Sequence, residues 1–334
     1  RGNMLKTTQT LRTGGVNNYQ LGLDRLVPDT LSQRKKNFLC RLISPSDNTK
    51  YKRYVGAPIR YAGGKSLAVG LIIERIPNKV KRVVAPFLGG GSVEIAIANE
   101  LDIPVVGYDI FDILINYWEV QLNNPRGLYK RLLEFEPTRE GFKKVKHRLK
   151  EHWGGKEKLG KLDLAAYYYF NHNTSYGPHF LGWPSSVYLQ KERYQKMIEK
   201  VCDFRAPNLR VECASFEDIM EKHRDDFLYL DPPYYLDGDS KTFVGLYPHR
   251  NFPIHHKGFK HALLHELLLK HRGGFILSYN DCSTIKNEYK NFQSISPSWQ
   301  YTFSQGDTRI GENRTKDNNG LYIKKSHELL IWKN

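Results

Sequence analysis

Val80-Lys81-Arg82-Val83-Val84-Ala85-Pro86-Phe87 runs straight into Leu88-Gly89-Gly90-Gly91-Ser92, and this stretch decides the fold. The first part is apolar and β-branched, which reads as a buried strand. The glycines permit a tight turn and a close approach of backbone to a ligand. Val93 to Leu101 reads as a helix, Pro104-Val105-Val106-Gly107-Tyr108-Asp109 as a second strand ending in an acid, and Asp112 to Leu122 as a second helix. Strand, turn, helix, strand, helix is the first half of a parallel sheet covered by helices.

Asp109 stands 18 residues beyond Gly91. In nucleoside-binding α/β folds an acid at such a strand end reaches ribose hydroxyls. The third glycine of the dinucleotide pattern is missing, because Glu94 occupies its place. A nucleoside without pyrophosphate, such as S-adenosylmethionine, therefore fits better than a dinucleotide. Upstream, Gly63-Gly64-Lys65-Ser66 opens an amphipathic run through Leu67, Val69, Leu71, Ile72 and Ile76 that stops near Pro77. A phosphate-binding loop would need a glycine where Ile59 stands and a buried strand before it. Lys65 beside a glycine loop suits the carboxylate of an amino-acid-like cofactor instead.

Downstream, Phe227-Leu228-Tyr229-Leu230 leads into Asp231-Pro232-Pro233-Tyr234-Tyr235. Two prolines fix their own φ and remove two amide donors, and the first biases Asp231 toward extended backbone. A carboxylate at a strand end, a stiff carbonyl and an aromatic face suit a flat heterocycle carrying an amino group. Asp231 accepts one amine proton, the Pro232 carbonyl the other, and Tyr234 stacks on the ring. A solvated Asp on a Pro-terminated strand is the plain alternative.

Composition is that of a globular chain able to bury a core. Lys and Arg number 51 against 35 Asp and Glu, a net +16, which points to a polyanionic partner such as nucleic acid. Residues 1–55 hold eleven Lys or Arg and three Asp or Glu, with little periodicity, and read as a basic extension. Cys40, Cys202, Cys213 and Cys282 are scattered, which argues against a zinc ribbon or a disulfide framework and fits a reducing cytosol. No apolar run is long enough for a bilayer. His249, His255, His256, His261 and His265 lack an acidic shell, so no metal is expected.

Strand-like segments resume at Leu209–Glu212, Phe227–Leu230, Gly274–Asp281, Trp299–Phe303 and Glu328–Trp332, with a helix from Ile254 to His271. Residues 126–207 then read as an insertion, charged and helical at first. Tyr167-Tyr168-Tyr169-Phe170-Asn171-His172-Asn173 and Ser175-Tyr176-Gly177-Pro178-His179-Phe180-Leu181-Gly182-Trp183-Pro184 follow, aromatic and turn-rich.

Together these segments resemble the Dam-like, alpha-group DNA adenine-N6 methyltransferases. Arg60-Tyr61-Ala62-Gly63-Gly64-Lys65 is similar to the family's first cofactor motif, Pro86–Glu94 to its glycine motif, Ala214-Ser215-Phe216-Glu217-Asp218 to the segment lining the cofactor adenine, and Asp231-Pro232-Pro233-Tyr234 to the catalytic motif. Leu277–Asp281 and Glu328–Ile331 resemble later strands of its sheet. The similarity covers roughly 56–334, and the order of motifs is that of the alpha group.

The resemblance implies a Rossmann-like α/β sheet with helices on both faces, built from 56–125 and 208–334. It makes 126–207 an inserted target-recognition domain, mainly helix and loop, and 1–55 an N-terminal extension. It implies methyl transfer from S-adenosylmethionine, leaving S-adenosylhomocysteine, to the amino group of an adenine flipped out of duplex DNA. Tyr61, Lys65, Phe87, Gly89, Gly91, Asp109, Phe216, Asp218 and Asp231 would hold the cofactor. Asp231, Pro232, Pro233 and Tyr234 would hold the base. Asn171, Asn173, His179 and Ser185 are candidates for base edges, and Lys191 and Arg193 for phosphates. A monomer acting on DNA in a bacterial or phage-infected cytoplasm, beside a cognate restriction endonuclease and away from membranes, completes the expectation. Tyr176–Trp183 departs from the pattern of GATC-specific members, so that specificity is not carried over. The rivals are amino-group methylation of RNA or protein, and a DNA-binding protein with an inactive site. An intact Asp231 motif and glycine loop weigh against the last.

Overall fold

The computed structural model of the chain describes residues 30–45, 47–235, 258–297, 314–316, 322–324 and 328–334. Trp299–Phe303, His249, His255 and His256 and the start of the helix expected from Ile254 lie outside these residues. In chain order, α1 spans Leu31–Leu42, β1 Ile43–Ser44, β2 Asp47–Tyr51, α2 Val69–Arg75, β3 Val83–Ala85, α3 Ser92–Glu100, β4 Val105–Asp109 and α4 Asp112–Asn123. Helices α5 (Pro125–Leu133), α6 (Arg139–Trp153), α7 (Lys161–Thr174) and α8 (Lys191–Asp203) follow. The remainder is β5 (Leu209–Cys213), α9 (Phe216–Lys222), β6 (Phe227–Leu230), α10 (His261–Lys270), β7 (Phe275–Asn280), α11 (Ser283–Glu288), β8 (Gln293–Ile295), β9 (Arg314–Lys316), β10 (Tyr322–Lys324) and β11 (Glu328–Lys333).

One sheet has the order β5-β4-β3-β6-β7-β11-β8. Strands β5, β4, β3, β6 and β7 run parallel, and β11 lies antiparallel between β7 and β8. The chain enters at β3, winds outward through β4 and β5, and returns to β6 on the other side of β3. The gap between the loops after β3 and β6 is the switch point where such sheets bind ligands. Alternate residues feed two separate cores: Val83, Ala85, Phe227 and Tyr229 join one apolar cluster, and Val84, Leu228 and Leu230 the other. A sheet covered on both faces needs continuous apolar strands, and β3 and β6 are buried at every position. The expected Rossmann-like sheet is therefore present, with helices on both faces.

Within the basic extension read over 1–55, of which 1–29 lie outside the described residues, helix α1 is packed on the rest of the chain. Phe38 and Leu42 on α1 are buried, Arg34 Nε donates to the Leu101 carbonyl at 2.7 Å, and Arg41 meets Glu100 at 2.6 Å. Helix α1 thus docks on helices α2 and α3 through one apolar edge, Phe38 and Leu42 standing four residues apart, which its many basic residues mask in the sequence.

Segment 126–207 also sits closer than an appended domain. Helix α7 is buried from Leu164 to Thr174 and packs along α4. Tyr117 on α4 stacks on Tyr169, with ring centroids 5.8 Å apart. The helices start where their sequences say. Asn124 Oδ1 accepts from Gly127 N at 3.0 Å and Thr138 Oγ1 from Gly141 N at 3.0 Å, each satisfying a first-turn amide. No helix among the described residues is long and apolar enough to cross a membrane.

Candidate active site

A cavity of about 390 Å³ opens at the C-terminal ends of β3, β4 and β6. Its floor is the glycine turn. Gly89 and Gly91 have φ of 49° and 66°, where a side chain is strained. A Cβ on Gly90 would stand 2.4 Å from the Tyr61 Cβ, so the turn and the Tyr61 loop touch only because the side chain is absent. Asp109 braces the same turn: its Oδ2 accepts from Gly89 N at 3.1 Å and its Oδ1 from Phe111 N at 3.0 Å. Burial pushes the Asp109 carboxyl above its ordinary value, and these amides pull it back part of the way.

The wall opposite is the Asp231-Pro232-Pro233-Tyr234 segment. Asp231 follows β6 directly, and its carboxylate faces the Lys65 ammonium, 2.8 Å from Oδ1 and 3.0 Å from Oδ2. Lys65 is buried, donates to the Gly63 carbonyl at 2.8 Å, and lies 4.9 Å from the Tyr234 ring centroid. Burial raises the Asp231 carboxyl above its ordinary value, and Lys65 opposes that rise. The Asp231 side chain keeps 22% of its surface open, so a ligand in the cavity can reach it.

Phe87 and Phe216 pack on each other as an aromatic wall of the cavity, with ring centroids 5.6 Å apart. Phe259 extends it against Phe216 at 5.1 Å. Asp218, expected beside Phe216, is exposed on α9 and does not line the cavity. Glu217 does, and it pairs with Lys260 at 2.8 Å. Consecutive helical residues point about 100° apart, so a one-residue shift decides which acid faces a ligand.

Two groups were missed by sequence reasoning. Glu94, noted only as the residue replacing a glycine, is 2% exposed at the start of α3 and lines the cavity. Its Oε1 has no hydrogen-bond partner, and burial, with Asp231 and Asp109 nearby, raises its carboxyl well above the ordinary value. His172 is buried on α7 between Tyr61 and Tyr168, stacked at 5.5 and 5.2 Å. Burial drives it well below its ordinary value, so it is neutral.

The base-edge candidates scatter. Asn171 Oδ1 accepts from Leu181 N at 2.7 Å. Asn173 Oδ1 accepts from Arg60 N at 2.8 Å, and its amide donates to the Tyr169 carbonyl at 3.1 Å. Ser185 Oγ accepts from Val187 N and Tyr188 N at 3.2 Å each. All three are buried, so they build the protein interior. His179 faces the cavity, where burial lowers its pKa. Lys191 and Arg193 are exposed at the first turn of α8. The outward side chains of the 175–184 loop are Tyr176 and Trp183, 67% and 79% exposed. Tyr176 N donates to the Trp183 carbonyl at 2.8 Å, and Lys146 sits 4.9 Å above the indole.

Among the described residues no cluster of His, Cys, Asp or Glu could hold a metal ion. His261 is drawn into packing, 5.2 Å from the Tyr235 ring and bonded to the Tyr279 hydroxyl.

The sequence model of the D12 class N6 adenine-specific DNA methyltransferases matches residues 61–303. The type II methyltransferase M1.LlaDCHI of Lactococcus lactis subsp. cremoris is 24% identical over 248 residues, 70% of this chain and 84% of that protein. M.FokI of Planomicrobium okeanokoites, also a type II methyltransferase, is 24% identical over 199 residues, 56% of this chain and 30% of that protein. A glycine cradle, an acid at each of two strand ends and a match over most of the length lead to one conclusion: the chain belongs to the D12 class of N6 adenine-specific DNA methyltransferases.

Proposed function

We propose that the cavity binds S-adenosylmethionine beside a flipped-out adenine, and that Asp231-Pro232-Pro233-Tyr234 presents the adenine amino group for methylation. The observation that carries this reading is the placement of Asp231, backed by Lys65, across the switch point from the Gly89–Gly91 turn. The residues fit the cofactor. The turn offers backbone without side chains, Phe87 and Phe216 offer an apolar aromatic face for its adenine, and Asp109 lies at a strand end suited to ribose. Glu94 Oε1, buried in the cavity wall without a partner, can hydrogen-bond a ligand there. Lys65 holds Asp231 in this reading, since both contacts of its ammonium given above lie within the protein.

When bound, S-adenosylmethionine supplies an activated methyl group on a sulfonium. The chain's work is orientation. Asp231 and the Pro232 carbonyl accept hydrogen bonds from the two amine N–H groups, favouring a nucleophilic nitrogen and stabilising charge that develops only in the transition state. Tyr234 offsets part of the cost of unstacking the base, a few kcal/mol. Lys65 keeps the Asp231 carboxylate ionised, and so an acceptor.

Residues 126–207 serve as the DNA-facing segment, with the 175–184 loop at its front. Trp183 and Tyr176 are the exposed aromatics there, and Lys146 the adjacent cation. By analogy with the type II methyltransferases it resembles, the chain acts as the modification partner of a restriction endonuclease in a bacterium. The deciding experiment is transfer from labelled S-adenosylmethionine to unmethylated genomic DNA, followed by digestion to nucleosides. Label in N6-methyladenosine supports the reading. Label confined to RNA or protein, or failure to bind the cofactor, overturns it.

A further inference from the structure

Tyr234 and Tyr235 end the catalytic motif, and both are gripped from beneath by strands far away in sequence. The Tyr234 hydroxyl donates to Oε1 of Glu328, the first residue of β11. Glu328 is 1% exposed and Tyr234 8%. Glu328 lies opposite Asn280 in the β11–β7 register. Asn280 in turn holds the Tyr235 peptide at both ends: its Oδ1 accepts from Tyr235 N at 2.8 Å and its Nδ2 donates to the Tyr235 carbonyl at 2.8 Å. Two paired residues on neighbouring strands thus fix two consecutive tyrosines, and the Lys65 ammonium sits over the Tyr234 ring.

A carboxyl group buried in a sheet is costly unless hydrogen bonds compensate it. At this position an apolar residue would serve packing alone. The carboxyl adds direction: it fixes where the hydroxyl end of the Tyr234 ring lies, against a swing about the Cα–Cβ bond on a loop.

We propose that Glu328 is a positioning residue for the target base, anchoring the Tyr234 ring through its hydroxyl. The proposal rests on the reading of Tyr234 as the surface on which the flipped adenine stacks. Asn280 supplies the fixed backbone on which that ring turns.

The test uses the full chain, single-turnover methyl transfer, and duplexes carrying 2-aminopurine at the target adenine. Four variants are compared with the parent: Glu328→Gln, Glu328→Leu, Tyr234→Phe and the double Tyr234→Phe/Glu328→Gln. Glu328→Leu and Tyr234→Phe should each slow transfer about tenfold, the scale of one lost hydrogen bond to a carboxyl. Glu328→Gln should lie between parent and Glu328→Leu, because its amide oxygen still accepts. Cofactor affinity should not change. The 2-aminopurine signal should brighten in the slow variants, reporting a flipped base less tightly stacked. The double variant should be no slower than Tyr234→Phe.

If Glu328→Gln slows transfer as much in the Tyr234→Phe background as in the parent, the acid acts elsewhere and the proposal falls. It falls equally if Glu328→Leu transfers at the parental rate. Should Glu328→Leu fail to fold, the isosteric Gln pair decides alone. A parent that shows no flipped 2-aminopurine but still methylates overturns the stacking reading itself. A flipped base with additive variants overturns only the positioning role.

Discussion

The Lys65 ammonium lies 2.8 Å from Asp231 Oδ1, joining two loops 166 residues apart in the chain. One belongs to the segment before α2 and the other to the end of β6. The Tyr61–Lys65 loop and the turn after β6 therefore meet in an ion pair at the wall of the cavity. Both groups sit away from bulk water, so the pair is weakly screened and each partner sets the state of the other.

That relationship gives a pH prediction. Burial raises the Asp231 carboxyl above its ordinary value, and Lys65 opposes it. Lys65→Met removes the opposing charge, so the carboxyl rises further. The acid limb of the pH–rate profile should move to higher pH, with transfer near neutrality falling about tenfold or more and partly recovering in alkali. Asp231→Ala should lose about 10²–10³-fold at every pH, as expected when a transition-state acceptor is deleted. Rates measured across pH for both variants check this. An unmoved acid limb in Lys65→Met removes the coupling.

Glu94 gives a stability prediction. Its folded carboxyl is raised well above the ordinary value, chiefly by burial. The folded state therefore holds a proton that the unfolded state releases. The contribution is fully present below the unfolded value and is lost as pH rises through the folded one. Each unit of that rise corresponds to about 1.4 kcal/mol. Glu94→Gln keeps the shape and removes the titration. The thermal midpoint of the cofactor-free variant should match the parent in acid and exceed it increasingly toward neutral and alkaline pH. Parallel melting curves at all pH values exclude the effect.

The catalytic motif and the glycine turn were legible because prolines and glycines act locally. Their backbone constraints hold wherever the chain goes, so Asp231 and Gly89–Gly91 could be placed from residue type alone. Burial is a property of the whole fold, and there the sequence misled. Asn171, Asn173 and Ser185 look like groove-reading residues in a polar, aromatic stretch, yet α7 runs through the interior and their polar atoms serve the backbone around them. Glu217 rather than Asp218 faces the cavity because helical phase, not composition, chooses the acid. Glu328 could not be foreseen, since it meets Tyr234 only through an antiparallel pairing 94 residues on.

Asn173 makes that distinction measurable. Its side chain satisfies Arg60 N and the Tyr169 carbonyl, and its own carbonyl accepts from the Arg60 guanidinium at 2.6 Å. Asn173→Ala leaves a donor and an acceptor without these partners, a cost of roughly 1–3 kcal/mol. Denaturant midpoints should fall accordingly, while the methylated sequence, read by sequencing of treated DNA, stays the same. A changed site preference at unchanged stability returns Asn173 to the DNA interface.

Trp183 is the residue at which the proposed function would put the DNA interface instead. An indole 79% exposed is not required by the core, and it sits beside Tyr176 at the neck of a braced loop. Lys146 donates to the Gly182 carbonyl at 2.9 Å, so its position near the indole is fixed rather than accidental. Aromatic and cationic contacts leave different signatures on nucleic-acid binding. Stacking or wedging is insensitive to salt and is worth about 1–3 kcal/mol per base. A phosphate contact releases counterion, and its removal flattens the salt dependence by about one unit of slope. Trp183→Ala should therefore weaken duplex binding about tenfold with the slope of log K against log salt unchanged. Lys146→Ala should flatten that slope. Anisotropy titrations over a range of salt separate the two, with cofactor affinity as the control for an intact cavity. If Trp183→Ala binds duplex DNA as the parent does, the 175–184 loop faces away from the DNA, and the exposed first turn of α8 at Lys191 and Arg193 becomes the surface to test.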